Sequence, residues 1–145
     1  LNTGGGIKNA LNSLGHKNFI VTNSDILWRE ENAKDVIKFI NNYHKIETCK
    51  LLLATDNNFE GLKKSEGDFK YEDGLLKRWK INDPNLFYTG LQILNPIIFN
   101  LIKDNSFSMN KLYDLLIIKN NLQGEVSRSN IFHIGDVNAF NKFNK

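Results

Sequence analysis

Two helical patterns and two short apolar runs alternate over the first 55 residues of the chain. Residues 4–14 and 32–44 each carry apolar side chains at the i, i+3, i+4 spacing of one helix face. Residues 18–22 and 50–55 are short and largely apolar without interruption, as in strands that are buried on both faces. The order helix, strand, helix, strand predicts an α/β domain built on a mostly parallel sheet.

The remainder of the chain inserts a β-hairpin into this pattern. Asp73-Gly74 separates the β-like runs 68–71 and 75–79, and an Asp-Gly pair between such runs favours a tight hairpin turn. The later elements are predicted in chain order as a strand over 86–94, helices over 95–103 and 109–119, strands over 122–126 and 131–134, and a last helix after Gly135-Asp136. With 145 residues and neither repeats nor a linker, the chain is predicted to form one domain.

Composition narrows the classes of function. The net charge is +3 and the sequence has no dense basic stripe, which argues against a nucleic-acid partner. No run of eighteen apolar residues and no basic-then-apolar start is present, so we expect neither a transmembrane helix nor a signal peptide. The single cysteine, Cys49, cannot form an internal disulfide, which fits a reducing compartment. We therefore expect a cytoplasmic protein without a membrane partner.

The segment Asn23-Ser24-Asp25 follows the first predicted strand. Open α/β sheets bind ligands at the carboxyl ends of their strands, where this segment is expected to lie. A carboxylate at such a place can hold Mg²⁺, which prefers oxygen ligands and bridges to phosphate oxygens. The alternative is that Asp25 forms a turn or caps a helix.

Two glycine-containing segments are further candidates for a binding site. Thr3-Gly4-Gly5-Gly6 precedes the first helical pattern, so its backbone amides are either an anion or ring-edge site or part of a flexible loop. Thr89-Gly90 lies inside a predicted strand, where glycine marks either a close ligand approach or a β-bulge. His133, within another short apolar strand, is either a core residue or a ligand.

Several motifs, taken together and in order, resemble one enzyme family. They are Thr3-Gly4-Gly5-Gly6, Asn23-Ser24-Asp25, Gly67-Asp68-Phe69, Tyr88-Thr89-Gly90 and Phe132-His133-Ile134-Gly135-Asp136. Their order and spacing resemble the sugar-phosphate nucleotidyltransferases, in particular the branch of N-acetylmuramate-1-phosphate uridylyltransferases and mannose-1-phosphate guanylyltransferase-like proteins. The resemblance implies a doubly wound, Rossmann-like sheet, here with a hairpin insertion.

The resemblance also implies a reaction and a set of site residues. In the family, a nucleotidyl group passes from a nucleoside triphosphate (NTP) to a sugar-1-phosphate with release of pyrophosphate, and Mg²⁺ assists. Asp25 would be the catalytic metal ligand, and His133 stands where many members have an aspartate as a second metal ligand. The implied substrate-binding residues are Thr3, Gly4, Gly5, Gly6, Asn23, Gly67, Tyr88, Thr89 and Gly90.

One family hallmark is absent from this sequence. The family's G-x-G-T-R loop and its Pro-Lys dipeptide, which hold the triphosphate, do not occur in it. The chain therefore resembles the C-terminal portion of an incomplete nucleotidyltransferase domain, and the strand at 18–22 is expected to have an unpaired edge. We expect self-association or a separately encoded N-terminal half, with impaired activity. The alternative is a non-catalytic remnant or binding module that keeps a sugar-phosphate or nucleotide-sugar site.

Overall fold

The computed structural model of the protein describes residues 2–44 and 48–143. Its helices are α1 (Asn2–Leu14), α2 (Ala33–Asn41), α3 (Met109–Ile118) and α4 (Val137–Phe143), with short 3₁₀ helices at Glu30–Asn32, Asp56–Asn58 and Pro96–Leu101. Its strands are β1 (Phe19–Thr22), β2 (Ile26–Leu27), β3 (Cys49–Thr55), β4 (Phe59–Glu60), β5 (Phe69–Glu72), β6 (Leu75–Arg78), β7 (Leu86–Leu94), β8 (Leu122–Val126) and β9 (Ile131–His133). None of the helices in these two ranges is long and apolar enough to cross a membrane.

The main sheet has six strands in the order β1-β7-β3-β8-β6-β5. A second, smaller sheet has three strands in the order β2-β9-β4. The α/β class is confirmed, and β5 and β6 form the hairpin predicted around Asp73-Gly74.

The expectation of a mostly parallel sheet is wrong. Within the six-stranded sheet only β3 and β8 pair in parallel, and the other pairs are antiparallel. The reason is the position of β7, which lies between β1 and β3 and runs antiparallel to both. The helical crossover through α2 does make β1 and β3 parallel to each other, as its pattern predicts, but a strand from later in the chain separates them.

Helices cover both faces of the sheet. The side chains of β3 alternate between these two faces and pack against the helices on each. Leu51 and Leu53 point into a core that includes Leu112 and Leu116 of α3, while α1 packs its partly buried side chains against the same core. On the other face, Leu52 packs with Phe39 of α2. This arrangement on two faces is the doubly wound layout that the resemblance implies.

Strand β1 lies at one end of the sheet and has β7 as its neighbour. Phe19 and Val21 pack into the core, whereas the side chain of Ile20 is 47% exposed. The expected open edge is therefore present within the residues that the structure describes. Edge strands of this kind are able to accept a further strand.

Candidate functional site

Three residues that the sequence analysis singled out meet in one pocket. A cavity of about 200 Å³ lies between β7, the first turn of α3 and the start of α1. Its lining includes Thr3, Asn23 and Tyr88, which are far apart in sequence. The remaining lining residues are Asp68, Phe69, Gln92, Ser108, Met109, Asn110 and Tyr113. We refer to this cavity as the β7–α3 pocket.

A larger groove of about 620 Å³ lies elsewhere, between the end of α1 and residues 95–100. Its lining contains no carboxylate and none of the site residues inferred from the sequence. We therefore assign the candidate site to the smaller pocket, where the polar side chains converge.

A β-bulge in β7 positions Asn23 at this pocket. Tyr88 pairs with Leu53 and Gln92 with Leu51, so three residues of β7 lie opposite the single residue between those partners. The Thr89 hydroxyl donates to the carbonyl of Leu52 at 2.9 Å and fixes the bulge. Of the two alternatives for Thr89-Gly90, the structure shows the bulge.

Gly90 makes the close approach between the bulge and Asn23 possible. Its φ is +88°, a conformation that side chains disfavour. The Asn23 N–H donates to the Gly90 carbonyl at 3.0 Å, and a Cβ placed on Gly90 would lie 2.8 Å from the Cβ of Asn23. The glycine therefore holds Asn23 in position by its backbone and by its lack of a side chain.

Replacing Gly90 by alanine is expected to destabilise the protein by about 2 kcal/mol, because the positive φ and the collision with Asn23 both add cost. Gly74→Ala is the matched control, since Gly74 has a φ of +87° but open space around its Cβ position. That control should cost only about 1 kcal/mol. Chemical denaturation of both variants measures the difference, and equal losses would show that the contact with Asn23 contributes nothing.

Asp25 lies in a second polar feature, formed by the small sheet. The Asp25 carbonyl accepts from the N–H of Ile134 at 2.8 Å, and Ile26 pairs with His133 across β2 and β9. This register places the imidazole Nε2 of His133 3.2 Å from Oδ2 of Asp25. The other carboxylate oxygen, Oδ1, is buried and has no hydrogen-bond partner among the described residues.

The carboxylate of Asp25 suits a magnesium ion whose other ligands are mostly water molecules and substrate oxygens. Mg²⁺ in proteins is commonly held by one or two carboxylates together with waters and substrate phosphates. In residues 2–44 and 48–143, no group of three or more His, Cys, Asp or Glu side chains is placed to hold a metal. A single carboxylate with one unused oxygen fits such a site, whereas imidazole is a ligand that suits zinc, copper, iron or nickel better.

The glycine run lies inside α1 and not before it. Gly4 and Gly5 are buried, and a Cβ on either would collide with the segment 105–107. The Gly5 N–H donates to the Phe107 carbonyl at 3.1 Å. These two glycines thus allow α1 to pack closely on this segment, while Thr3 lines the pocket.

Gly6 differs from its two neighbours because a Cβ there would meet nothing within 4 Å. Gly6→Ala is expected to stabilise the protein by about 0.5–1 kcal/mol through higher helix propensity. Gly5→Ala is expected to destabilise it instead, because the collision is with backbone. Thermal unfolding of both variants tests this contrast. A Gly6→Ala variant that is less stable than wild type would contradict the packing seen here.

Gly67 and Asp68 connect the hairpin to the pocket. Gly67 is buried beneath the Trp79 indole, where a side chain would not fit, so its place in the site is indirect. The Asp68 carboxylate accepts from the Tyr88 N–H at 3.0 Å with one oxygen, and its other oxygen pairs with Lys64. Asp68 thereby fixes the start of the bulged segment at the rim of the pocket.

Sequence reasoning did not assign a role to Asp68, Gln92 or Tyr113. Asp68 belongs to a motif that carries the resemblance, so a carboxylate beside that glycine was an available signal. Gln92 is polar and lies in an otherwise apolar strand, which is a second signal for a buried polar function. Tyr113 lies on an apolar helix face and has no distinguishing sequence signal.

Comparisons with known proteins agree with the resemblance. The N-acetylmuramate alpha-1-phosphate uridylyltransferase of Caulobacter vibrioides is 30% identical to this chain over 142 residues. The match covers 96% of this chain and 58% of that protein, so the chain spans less than two thirds of this relative's length. No protein-family model matches the chain.

Solved structures show the same fold at low sequence identity. The inositol-1-phosphate CTP transferase of T. maritima has a TM-score of 0.71 and 12% identity, and the match covers 96% of this chain and 58% of that one. UDP-glucose pyrophosphorylase of Acinetobacter baumannii has a TM-score of 0.68 and 16% identity, with 97% and 54% covered. The chain is thus similar to sugar-phosphate nucleotidyltransferases in sequence and in fold, and the resemblance inferred from its motifs is confirmed.

Proposed function

We propose that this chain provides the sugar-phosphate and metal-binding side of a nucleotidyltransferase. The observation that carries the proposal is the β7–α3 pocket, which brings Thr3, Asn23 and Tyr88 together. Asp25 follows Asn23 by two residues in the sequence. The Caulobacter relative, by its name, acts on a sugar 1-phosphate with a uridylyl group. The proposed substrates are therefore an NTP and a sugar-1-phosphate.

The proposed reaction is an in-line displacement at phosphorus. An oxygen of the sugar-1-phosphate attacks the α-phosphorus of the NTP, a P–O bond forms, and the bond to the leaving pyrophosphate breaks. Catalysis of this kind depends on positioning and on neutralising charge. When bound, a magnesium ion supplies charge neutralisation at the phosphate oxygens.

The residues of this chain have separate roles in that scheme. Asp25 would hold the magnesium ion through its unused Oδ1, and His133 would orient the carboxylate through the contact with Oδ2. His133→Gln in a Mn²⁺ titration separates this orienting role from direct binding of the metal by His133. Asn23, Tyr88 and the residues of the bulge would position the sugar-phosphate.

We further propose that the groups that bind the triphosphate come from a polypeptide region outside this sequence. Support comes from the open edge of β1 and from the exposed side chain of Ile20 on that strand. A further strand pairing with β1 would complete the edge, and its side chains on that face would lie beside Ile20. The sources to distinguish are a preceding segment of the same polypeptide, a separately encoded N-terminal half and a second copy of this chain.

Mg²⁺-dependent pyrophosphate release tests the proposed function. The chain is assayed with UTP, GTP, CTP and dTTP against a panel of sugar-1-phosphates, alone and with the first part of the Caulobacter relative added. Asp25→Asn is the test variant. Asp104→Asn is the control, because the exposed Asp104 carboxylate pairs with Lys111 on the surface. Release that depends on Asp25 supports the proposal.

The alternative function is a module that binds a sugar phosphate or nucleotide-sugar without catalysis. The β7–α3 pocket alone is enough for such binding, whereas transfer also needs groups that hold a triphosphate, and loss of a single electrostatic contact to a transferring phosphoryl group costs about 10²–10³ in rate. Calorimetric binding of a sugar-1-phosphate without pyrophosphate release under any of the conditions above would favour this alternative. Absence of both binding and release would exclude the two functions together.

A further inference from the structure

Gly135 follows His133 by two residues and packs against its imidazole ring. The three atoms nearest to a Cβ placed on Gly135 all belong to that ring, Cε1 being the closest, with Nε2 at 3.0 Å and Nδ1 at 3.2 Å. Carbon atoms in van der Waals contact lie about 3.5–4.0 Å apart. A side chain at position 135 and the imidazole of His133 therefore compete for the same space.

The collision would fall on the edge of the ring that faces Asp25. Nε2 of His133 lies 3.2 Å from Oδ2 of Asp25, and Cε1 is bonded to that nitrogen. This distance is already at the long end of the range for a hydrogen bond to oxygen. A ring displaced by about 1 Å, the shift that ordinary carbon contact would require, does not keep it. The contact between His133 and Asp25 thus needs the space that glycine leaves at position 135.

The backbone on both sides of Gly135 is held by hydrogen bonds. Before it, the N–H of Ile134 donates to the carbonyl of Asp25 at 2.8 Å. After it, Oδ1 of Asp136 accepts from the N–H of Ala139 at 2.8 Å, within the first turn of α4. Moving the backbone away from the ring would strain these bonds. An added side chain is therefore accommodated by the imidazole, which is the end of a side chain, and not by the backbone.

The surroundings of His133 fix its backbone but leave its ring room to turn. Gly61 packs against the His133 carbonyl, where a Cβ would not fit, and the Phe59 ring lies edge-on to the imidazole at 6.4 Å between centroids. The side chain of His133 is nevertheless 27% exposed. The imidazole can therefore rotate toward solvent, and it can leave Asp25 without a change in the fold.

We propose that Gly135 is a positioning residue for His133 and, through it, for the carboxylate of Asp25. Its lack of a side chain keeps the imidazole where Nε2 reaches Oδ2 of Asp25. With Oδ2 engaged in this way, the buried Oδ1 is the oxygen left for a cation. This inference rests on the metal role proposed for Asp25 and adds to it a residue that acts through His133 alone.

NMR tests the contact between His133 and Asp25 without a metal. The full chain, which has three histidines, is labelled with ¹³C at Cε1 of histidine, and His133→Ala identifies the His133 resonance. At one fixed pH, Asp25→Asn should shift this resonance, because the carboxylate lies against the ring. In a chain that carries Gly135→Ala, the same Asp25→Asn substitution should no longer shift it. Gly74→Ala is the control and should keep the full response, since a Cβ there would meet nothing within 4 Å.

A Mn²⁺ titration then tests the effect on the metal. Gly135→Ala should weaken Mn²⁺ binding about tenfold, at the lower end of what the loss of a group that orients a metal ligand costs. In the His133→Ala background, where the imidazole is absent, Gly135→Ala should cause no further loss, because two residues that act through one group are not additive. Thermal unfolding follows the same four chains. If Gly135→Ala alone prevents folding, a double variant that folds supports the collision with the ring, and one that stays unfolded overturns it.

The outcomes separate this inference from the function on which it rests. A His133 resonance that still responds to Asp25→Asn when residue 135 is alanine would show that the ring keeps its place, and it would overturn the proposal. An equal loss of Mn²⁺ affinity with and without the imidazole would also overturn it, because Gly135 would then act by another route. Absence of Mn²⁺ binding to the wild-type chain would instead overturn the metal role of Asp25 in the proposed function. The NMR comparison would then decide by itself whether Gly135 positions His133.

Discussion

Asp25→Asn is expected to reduce nucleotidyl transfer by about 10²- to 10³-fold, the usual effect of removing one electrostatic contact to a reacting phosphoryl group. Asparagine keeps the shape of the side chain and an oxygen opposite His133. It loses the negative charge that attracts a divalent cation. The effect should therefore appear as a higher requirement for Mg²⁺ as well as a lower rate.

Metal binding can be measured independently of turnover. Mn²⁺ replaces Mg²⁺ as a probe, and its free concentration is followed by electron paramagnetic resonance during titration with protein. We expect Asp25→Asn to weaken Mn²⁺ binding and Asp104→Asn to leave it unchanged. His133→Gln distinguishes the two roles of His133, because a ligand lost from the metal weakens binding much more than a lost orienting contact. Unchanged binding and rate in Asp25→Asn would remove Asp25 from the site.

Asp35→Ala is expected to lower the free energy of unfolding by about 3 kcal/mol, because one carboxylate oxygen of Asp35 satisfies several donors at once. Its Oδ2 accepts from the hydroxyls of Ser127 and Ser129 at 2.8 and 2.7 Å. It also accepts from the N–H groups of Arg128 and Ser129 at 2.9 and 2.8 Å. Alanine leaves all these donors without that acceptor.

The loss of these hydrogen bonds should also affect the candidate site. Residues 127–130 connect β8 to β9, and β9 carries His133. Asn32 also holds this connection, through its amide donating to Ser129 and to the carbonyl of Asn130. Asp35→Ala should therefore loosen β9 and reduce metal binding at Asp25, although the substitution changes neither Asp25 nor His133. Chemical denaturation measures the stability, and Asp104→Ala, on an exposed surface pair, should change it little.

The contribution of Asp35 also depends on pH. Partial burial raises the pKa of Asp35, but the hydrogen bonds from Ser129, Ser127 and Arg128 outweigh it and hold the pKa below its usual value. A carboxyl group whose pKa is lower in the folded state stabilises the fold above its unfolded pKa, about 3.9. That stabilisation disappears as the pH falls through the lower, folded value.

Acid titrations of wild type and Asp35→Asn isolate this contribution. Other carboxyl groups, including those of Glu72 and Asp136, also have lowered pKa values because of lysine partners, so wild type should lose stability below about pH 4 for several reasons. The difference in unfolding free energy between wild type and the variant should shrink in that range. A difference that stays constant from pH 7 to pH 3 would show that the charge of Asp35 plays no part.

The sequence by itself determined the local elements and the family resemblance. The helical spacing of residues 4–14 and 109–119, the apolar run that became β3, and the Asp-Gly turn of the hairpin all depend on neighbours within a few residues. Such patterns record which face of an element is buried, and they predicted most elements to within a few residues of the structure. The ordered motifs identified the resemblance because each depends on residue identity and spacing alone.

The tertiary structure decided how these elements pair and which side chains meet. The insertion of β7 between β1 and β3 made the sheet mostly antiparallel, and no local pattern in β7 records which strands it will join. The bulge at Gly90 and the packing of α3 brought Tyr88, Gln92 and Tyr113 together, although Tyr113 reads as an ordinary core residue in sequence. Pairing and convergence depend on contacts between residues far apart in the chain, and periodicity within one segment carries no information about them.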